Sequence, residues 1–218
     1  MRPLYDIAVY AYRAGISAAA PFNPKASSWA LGRKGLFNDL RSHFQSRHNT
    51  KTIWFHCASL GEFEQGRPVI DAFREKRPGW TILVTFFSPS GYEIRKGYEG
   101  SDIVSYLPMD TTSNARKFLD IVNPSIAVFI KYEFWYNYMS ELYKRDIPFV
   151  YFSTIFRERQ HFFKWYGGWF RKKLALAERY GAIAVDAAEG DPVAEVLRLT
   201  GGQGVDVALE LIGLPRTI

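Results

Sequence analysis

The residues with the clearest chemical capacity lie in the run HCASLGEFEQGRP, positions 56–68. A short apolar segment ends there, the chain turns through Ser59-Leu60-Gly61, and a helix is expected to begin near Phe63. Gly61 can take backbone conformations that other residues avoid and lets a substrate approach closely. The start of the helix offers unpaired N–H groups and the positive end of its dipole, an environment suited to phosphate or carboxylate. Glu62 stands at that mouth and could accept a proton from a hydroxyl. On spacing alone, a carboxylate that only complements the helix dipole is the simpler reading. Cys57, the single cysteine, sits in the apolar run TIWFHCA. It reads as a core residue, and one cysteine excludes a disulfide framework. Neither His56 nor His161 has metal-ligand spacing with Cys57 or another histidine, so no metal is expected.

The elements that must hold Glu62 follow a regular alternation. The apolar runs TIWFHCA, TILVTFF, IVSYLPM, SIAVFI and PFVYFST read as strands. Helices are expected between them: 63–77, a short one after SPSG, TTSNARKFLDIV and EFWYNYMSELYKR. A long aromatic helix follows from about His161 to Tyr180. Short apolar strands alternating with helices predict the α/β class, a Rossmann-like parallel sheet with helices on both faces. Such sheets bind ligands beyond the carboxyl ends of their strands, here 59–62, 88–91, 108–110, 131–133 and 153–157. Before the sheet come a helix over 3–20, a basic loop-like stretch NPKASSWALGRKG, and a short amphipathic helix LFNDLRSHFQSR.

Composition narrows the partners. With 47% hydrophobic and 23% charged residues over 218 positions the chain is globular, but aromatics at 17% exceed what a core of this size needs. Tyrosine and tryptophan suit surfaces that are apolar on one side and wet on the other, such as a membrane interface or a sugar site. The net charge of +6 favours an anionic partner, and from Tyr180 onward acidic residues outnumber basic ones. Basic charge is present without a recognition motif for nucleic acid, and no such partner is expected. No run of about 20 uncharged apolar residues occurs, so no spanning helix is predicted. Residues 1–21 instead carry Leu4, Ile7, Ala8, Ala11 and Gly15 at helical spacing, with tyrosines beside them and Arg2, Arg13, Lys25, Arg33 and Lys34 nearby. That pattern fits a helix lying in the membrane interface. It also fits an amphipathic helix packed on its own domain.

Several motifs in order carry a family resemblance. WFHCASLGEFEQGRPVI, ILVTFFSPSGYEIRK, YLPMDT and IKYEFWYN, preceded by LYDIAVYAYRAG and FNPKASSWALGRKG, resemble the 3-deoxy-D-manno-octulosonic acid (Kdo) transferases over about residues 3–172. The resemblance implies the N-terminal half of a GT-B glycosyltransferase, with residues 22–172 as a Rossmann-like domain that binds the lipid A precursor as acceptor. It implies that CMP-Kdo is held by a second domain, and that the reaction is inverting and independent of metal or other cofactor. It places the work at the cytoplasmic face of the bacterial inner membrane. Glu62 is carried over as the general base, with Ser59 and Gly61 shaping its turn. Glu133 matches the second glutamate of an E-x-E-x-W motif whose first position is Lys131 here, so a role needing both carboxylates does not carry over. Glu133 could orient the acceptor, support Glu62, or merely open a helix. Ser88, Ser90 and Gly91 could contact acceptor sugar or phosphate, or form a helix cap. Arg33, Lys34 and Arg157 are candidates for the acceptor phosphates, or solvated surface charges.

The final stretch reads differently. LALAERYGA, GDPVAEVLRLTGG and GVDVALELIG resemble a piece of the cofactor domain of zinc-dependent alcohol or formaldehyde dehydrogenases, over 174–218. This suggests a chimera joined near Arg171 to Leu174, with 173–218 adding a βαβ tail to the sheet. Gly201, Gly202 and Gly204 have the wrong spacing for a dinucleotide motif, so NAD binding is the lesser reading. With the donor-binding domain not recognisable, the chain alone is expected to lack turnover. The rival readings are a membrane or anionic-lipid binding module without chemistry, and an NAD-binding fragment.

Overall fold

The computed structural model describes residues 2–45, 47, 50–131 and 133–152. Arg157, the aromatic helix expected from His161 and the tail expected to add a βαβ unit lie outside the described residues. Three helices come first: α1 (Arg2–Ala19), α2 (Pro24–Leu31) and α3 (Leu36–Gln45). Then strands and helices alternate: β1 (Thr52–Cys57), α4 (Leu60–Lys76), β2 (Thr81–Phe86), α5 (Pro89–Arg95), β3 (Ile103–Tyr106), α6 (Thr112–Val122), β4 (Ile126–Ile130), α7 (Tyr136–Lys144) and β5 (Phe149–Phe152).

All five strands are parallel, in the order β3-β2-β1-β4-β5. The expected α/β class and Rossmann-like sheet are therefore observed. Every residue of β1 and β2 is buried, as an interior strand covered on both faces requires. Side chains alternate between two cores. Ile53, Phe55 and Cys57 pack with Phe63 and Ile70 of α4, whereas Trp54 packs with residues of α3, α6 and α7. Trp54 is fully buried, and its indole N–H is satisfied by the Thr85 hydroxyl at 2.7 Å. Truncating such a side chain to alanine costs about 3–5 kcal/mol.

Helix boundaries follow local chemistry. Helix α6 opens on Thr111, whose side chain accepts the Asn114 N–H, and closes on Asn123 in the left-handed region at φ 41°. Its buried positions Ala115, Phe118, Leu119 and Val122 form one stripe. Helix α2 corrects the expectation of a loop over NPKASSWALGRKG. The Asn23 side chain accepts from the N–H groups of Lys25 and Ala26, Pro24 fits the first turn, and Trp29 buries the inner face.

The expected starts of α4 and α7 also shift. Helix α4 begins at Leu60, not near Phe63, which puts Glu62 inside its first turn. Helix α7 begins at Tyr136, leaving Glu133 in the segment before it and not at a helix opening. Buried Asp110 accounts for the second shift. Its carboxylate accepts the N–H groups of Asn137 at 3.2 Å and Tyr138 at 3.1 Å, neutralising the positive end of α7 from within. The same carboxylate accepts the Tyr5 hydroxyl of α1, and Asn137 donates to Asp6 at 3.0 Å.

Helix α1 thus docks through a face that includes Tyr5, Asp6, Val9 and Ile16, all half-buried. Its other face exposes Ile7 and Tyr10, and Phe22 just beyond the helix is 90% exposed. No described helix is long and apolar enough to cross a membrane.

Candidate active site

The strand order reverses between β1 and β4, so the segments leaving these two strands diverge and open a crevice at their carboxyl ends. Glu62 follows β1 and Glu133 follows β4. The topology therefore brings together two carboxylates that lie 71 positions apart in sequence.

Glu62 is held from behind. Its Oε2 accepts the Ser59 N–H at 2.9 Å, one half of a capping box that fixes the side chain over the start of α4. Burial pushes the Glu62 carboxyl above the usual carboxylate range, and the charge of Glu133 adds to this. The N–H groups of Ser59 and Ala58 and the charge of His56 pull the other way without cancelling it. Glu62 is thus a half-buried carboxylate with raised proton affinity, the property a general base needs near neutral pH. Beside it, a Cβ built on Gly61 meets no atom within 4 Å. Packing does not demand glycine there, and the space above it is open to a ligand.

Glu133 is fixed by aromatic neighbours. Its Oε2 accepts the Trp135 indole N–H at 2.7 Å and lies 3.6 Å from His56 Nε2. The Trp135 ring packs on Phe87 at 4.9 Å between centroids and on His56 at 5.8 Å. Trp135 is therefore half-buried wall as well as hydrogen-bond donor. Lys131, at the motif's first position, leaves β4 with φ 64°, a left-handed conformation uncommon outside glycine. Below the carboxylates Cys57 is fully buried, and burial pushes its thiol up, with the charges of Glu62 and Glu133 adding to the effect. A thiol so placed stays neutral and is a core residue.

The remaining sequence candidates sort into three groups. Ser88 caps α5: its hydroxyl accepts the Ser90 N–H at 3.3 Å and lies 2.9 Å from the Ser90 hydroxyl. Gly91 is buried, and a Cβ there would fall 2.3 Å from the Phe86 ring and 3.1 Å from Leu60 N. That glycine lets the starts of α4 and α5 approach each other. Ser88 also lines a cleft of ≈ 280 Å³ with Tyr12, Ile16, Lys25, Trp29 and Phe87. Arg33 lies half-buried and serves as a staple. It donates to Leu107 O at 3.1 Å, Trp29 O at 3.1 Å and Phe87 O at 2.8 Å, with its guanidinium 3.9 Å from the centre of the Trp29 ring. Burial pushes it down to about 10, and it stays charged at neutral pH. Exposed Lys34 and Arg13 line a second cleft with Arg33, of ≈ 380 Å³. Arg157 lies outside the described residues. Two residues of consequence had no role in the sequence reading. From sequence His56 reads only as a possible metal ligand, and Asp110 only as part of the YLPMDT motif and of the strand end 108–110. No group of three metal-ligating side chains lies together among the described residues.

A doubly wound parallel sheet with a carboxylate on each side of its switch point defines a Rossmann-like domain. Residues 33–190 match the family described as 3-deoxy-D-manno-octulosonic-acid transferase (kdotransferase), and the chain belongs to that family. The match runs past position 174, into the stretch for which the sequence suggested a different origin. Among curated relatives, a 3-deoxy-D-manno-octulosonic acid transferase of Haemophilus influenzae is 32% identical over 99 residues, covering 45% of this chain and 23% of that protein. The Chlamydia pneumoniae transferase of the same name is 33% identical over 91 residues, covering 41% and 21%. That of Aquifex aeolicus is 29% identical over 93 residues, covering 42% and 26%. The chain thus spans about a quarter of the length of the curated relatives it matches. The parallel sheet flanked by helices is consistent with the N-terminal domain of a GT-B Kdo transferase.

Proposed function

We propose that this chain is the acceptor-binding side of a Kdo transferase, and that Glu62 is its general base. On this reading a hydroxyl of the lipid A precursor sits above Gly61 and gives its proton to Glu62 while its oxygen attacks the anomeric carbon of Kdo. The bond from that carbon to CMP breaks, and CMP leaves with its electron pair. The single observation that carries the reading is the raised proton affinity of Glu62, held by the Ser59 N–H beside open space at the switch-point crevice. Glu133, anchored by Trp135, faces Glu62 across that crevice and orients the acceptor. The cleft beside Ser88 and the basic cleft with Arg13, Arg33 and Lys34 are the candidate supports for acceptor sugar and phosphate.

On this reading the donor CMP-Kdo is held by the other half of the family's fold. The test grafts residues 33–152 in place of the corresponding stretch of the Haemophilus relative and assays Kdo transfer to a tetraacyl lipid A precursor. Transfer by the graft, falling about 10²- to 10⁴-fold in Glu62→Gln with acceptor binding retained, is the expected result. A Glu62→Gln graft as fast as its parent would remove Glu62 as the base.

A second proposal concerns location. The outward face of α1, with Ile7, Tyr10 and nearby Phe22 exposed beside Arg13 and Lys25, fits a helix resting on an anionic membrane surface. In the family's setting that surface is the cytoplasmic face of the bacterial inner membrane.

A further inference from the structure

His56 is fully buried on β1, and no step above uses it. Its Nδ1 lies 3.2 Å from Thr85 O and 2.9 Å from Thr85 Oγ1. A carbonyl oxygen can only accept. The Thr85 hydroxyl already donates to Phe55 O at 3.3 Å and receives the Trp54 indole N–H. Both contacts therefore require a proton on Nδ1. In the neutral ring this leaves Nε2 as a bare lone pair. Among the described residues, His56 Nε2 and Trp29 Nε1 are the buried side-chain polar atoms without a hydrogen-bond partner. The lone pair would face Glu133 Oε2 at 3.6 Å, a repulsive arrangement between two acceptors. A proton on either atom removes that repulsion, and on Nε2 it makes an ion pair across the 3.6 Å gap.

We propose that His56 is the positioning residue of this carboxylate pair: the His56–Glu133 pair carries one proton, on Nε2 or on the Glu133 carboxyl, and that proton offsets the Glu133 charge that faces Glu62. Among the described residues the ionisable groups around His56 are few. Glu133 comes from the segment after β4 and Glu62 from α4. Cys57 on β1 and Tyr151 on β5, whose hydroxyl is 3.5 Å from Glu133 O, are held neutral by burial. The electrostatics agree in sign, since Glu133 raises the Glu62 carboxyl and His56 lowers it. Without that proton the full Glu133 charge would face Glu62 and raise its proton affinity further, so the proton tunes the group read above as the base. The proposal rests on Glu62 as base only for this last consequence.

The experiment is an NMR titration of the full chain. Long-range ¹H–¹⁵N spectra report each ring nitrogen of His56, assigned by substituting His43, His48 and His161. Selectively ¹³C-labelled glutamate carboxyls report Glu62 and Glu133. At pH 7 the expected result is a protonated Nδ1, with the second proton found either on Nε2 or on Glu133. A bare Nε2 beside an ionised Glu133 would overturn the proposal, and this measurement needs no variant at the site. In His56→Gln the Glu62 titration is expected to move up by roughly half to one pH unit. In Glu133→Gln it moves down and no longer responds to His56→Gln. An unchanged Glu62 titration in a folded His56→Gln protein would also overturn the proposal. Failure of the transfer test would remove Glu62 as base and leave these titrations standing, so the two readings fail separately.

Discussion

At the scale of single residues, the same property that fits Glu62 to the proposed role of base makes it a burden on the fold. Its folded-state carboxyl is raised by burial and by Glu133, so the native state binds the proton more tightly than the unfolded chain does. Stability is therefore lost as pH rises from the ordinary glutamate range through the raised value. Glu62→Gln keeps an oxygen for the Ser59 N–H and drops the charge. The variant is expected to match the parent in thermal stability below the ordinary glutamate range and to exceed it at pH 7–8. Solvent on the open side of the carboxylate keeps the gain small, roughly 1–3 °C in Tm. Calorimetry at both pH values checks this, and a variant less stable at pH 8 would count against a strained Glu62. The position of Glu62 was legible because strand, turn and helix signals converge on it within a dozen residues. The Arg33 staple was not, because two of its acceptors, Leu107 O and Phe87 O, lie 74 and 54 positions away. His56 escaped notice for a related reason. Its meaning depends on the Thr85 oxygens fixing one tautomer, and only strand pairing brings them to its ring.

At the scale of elements, Asp110 joins α1 to the start of α7 and so sets the segment that carries Glu133 and Trp135. Replacing it by alanine leaves the Tyr5 hydroxyl and the N–H groups of Asn137 and Tyr138 without their acceptor. The expected cost is about 2–4 kcal/mol, read as a lower denaturant midpoint at unchanged slope. Hydrogen exchange should quicken at the Asn137 and Tyr138 amides, whereas β2 amides keep the protection that global stability allows. Asp110→Asn retains one acceptor oxygen and should lose less. Equal loss in both variants would show that the carboxylate's hydrogen bonds are not what holds α7. Strand positions were readable from apolar runs, because buried parallel strands have little other pattern to show. Helix starts were less so. Helix α2 hides behind proline, serine and glycine, residues that usually signal loops, and is revealed by its Asn23 cap. The start of α7 depends on an acceptor 27 positions upstream.

At the scale of the whole molecule, α1 has an inner face tied to Asp110 and Asn137 and an outer face left apolar. Deleting residues 1–21 would strip Tyr5 and Asp6 from the domain, so point changes on the outer face test membrane binding more cleanly. The parent chain should float with anionic phospholipid vesicles, and Ile7→Glu combined with Phe22→Glu should leave it in the soluble fraction with its Tm unchanged. Flotation of the double variant equal to the parent would remove the proposed membrane role of this face. The sheet order has a consequence of another kind, in time as well as in space. β1 lies at the centre, yet its partner β4 begins at Ile126, more than seventy residues downstream. At about 5–20 residues per second, a ribosome takes roughly 4–15 seconds to make that stretch. For that interval the β4 edge of β1 has no partner, and the other edge gains β2 only once residue 86 is made. The segment TIWFHC therefore carries an open edge exposed to misassociation during its own synthesis, and α4, the next element made, shields one of its faces in the meantime.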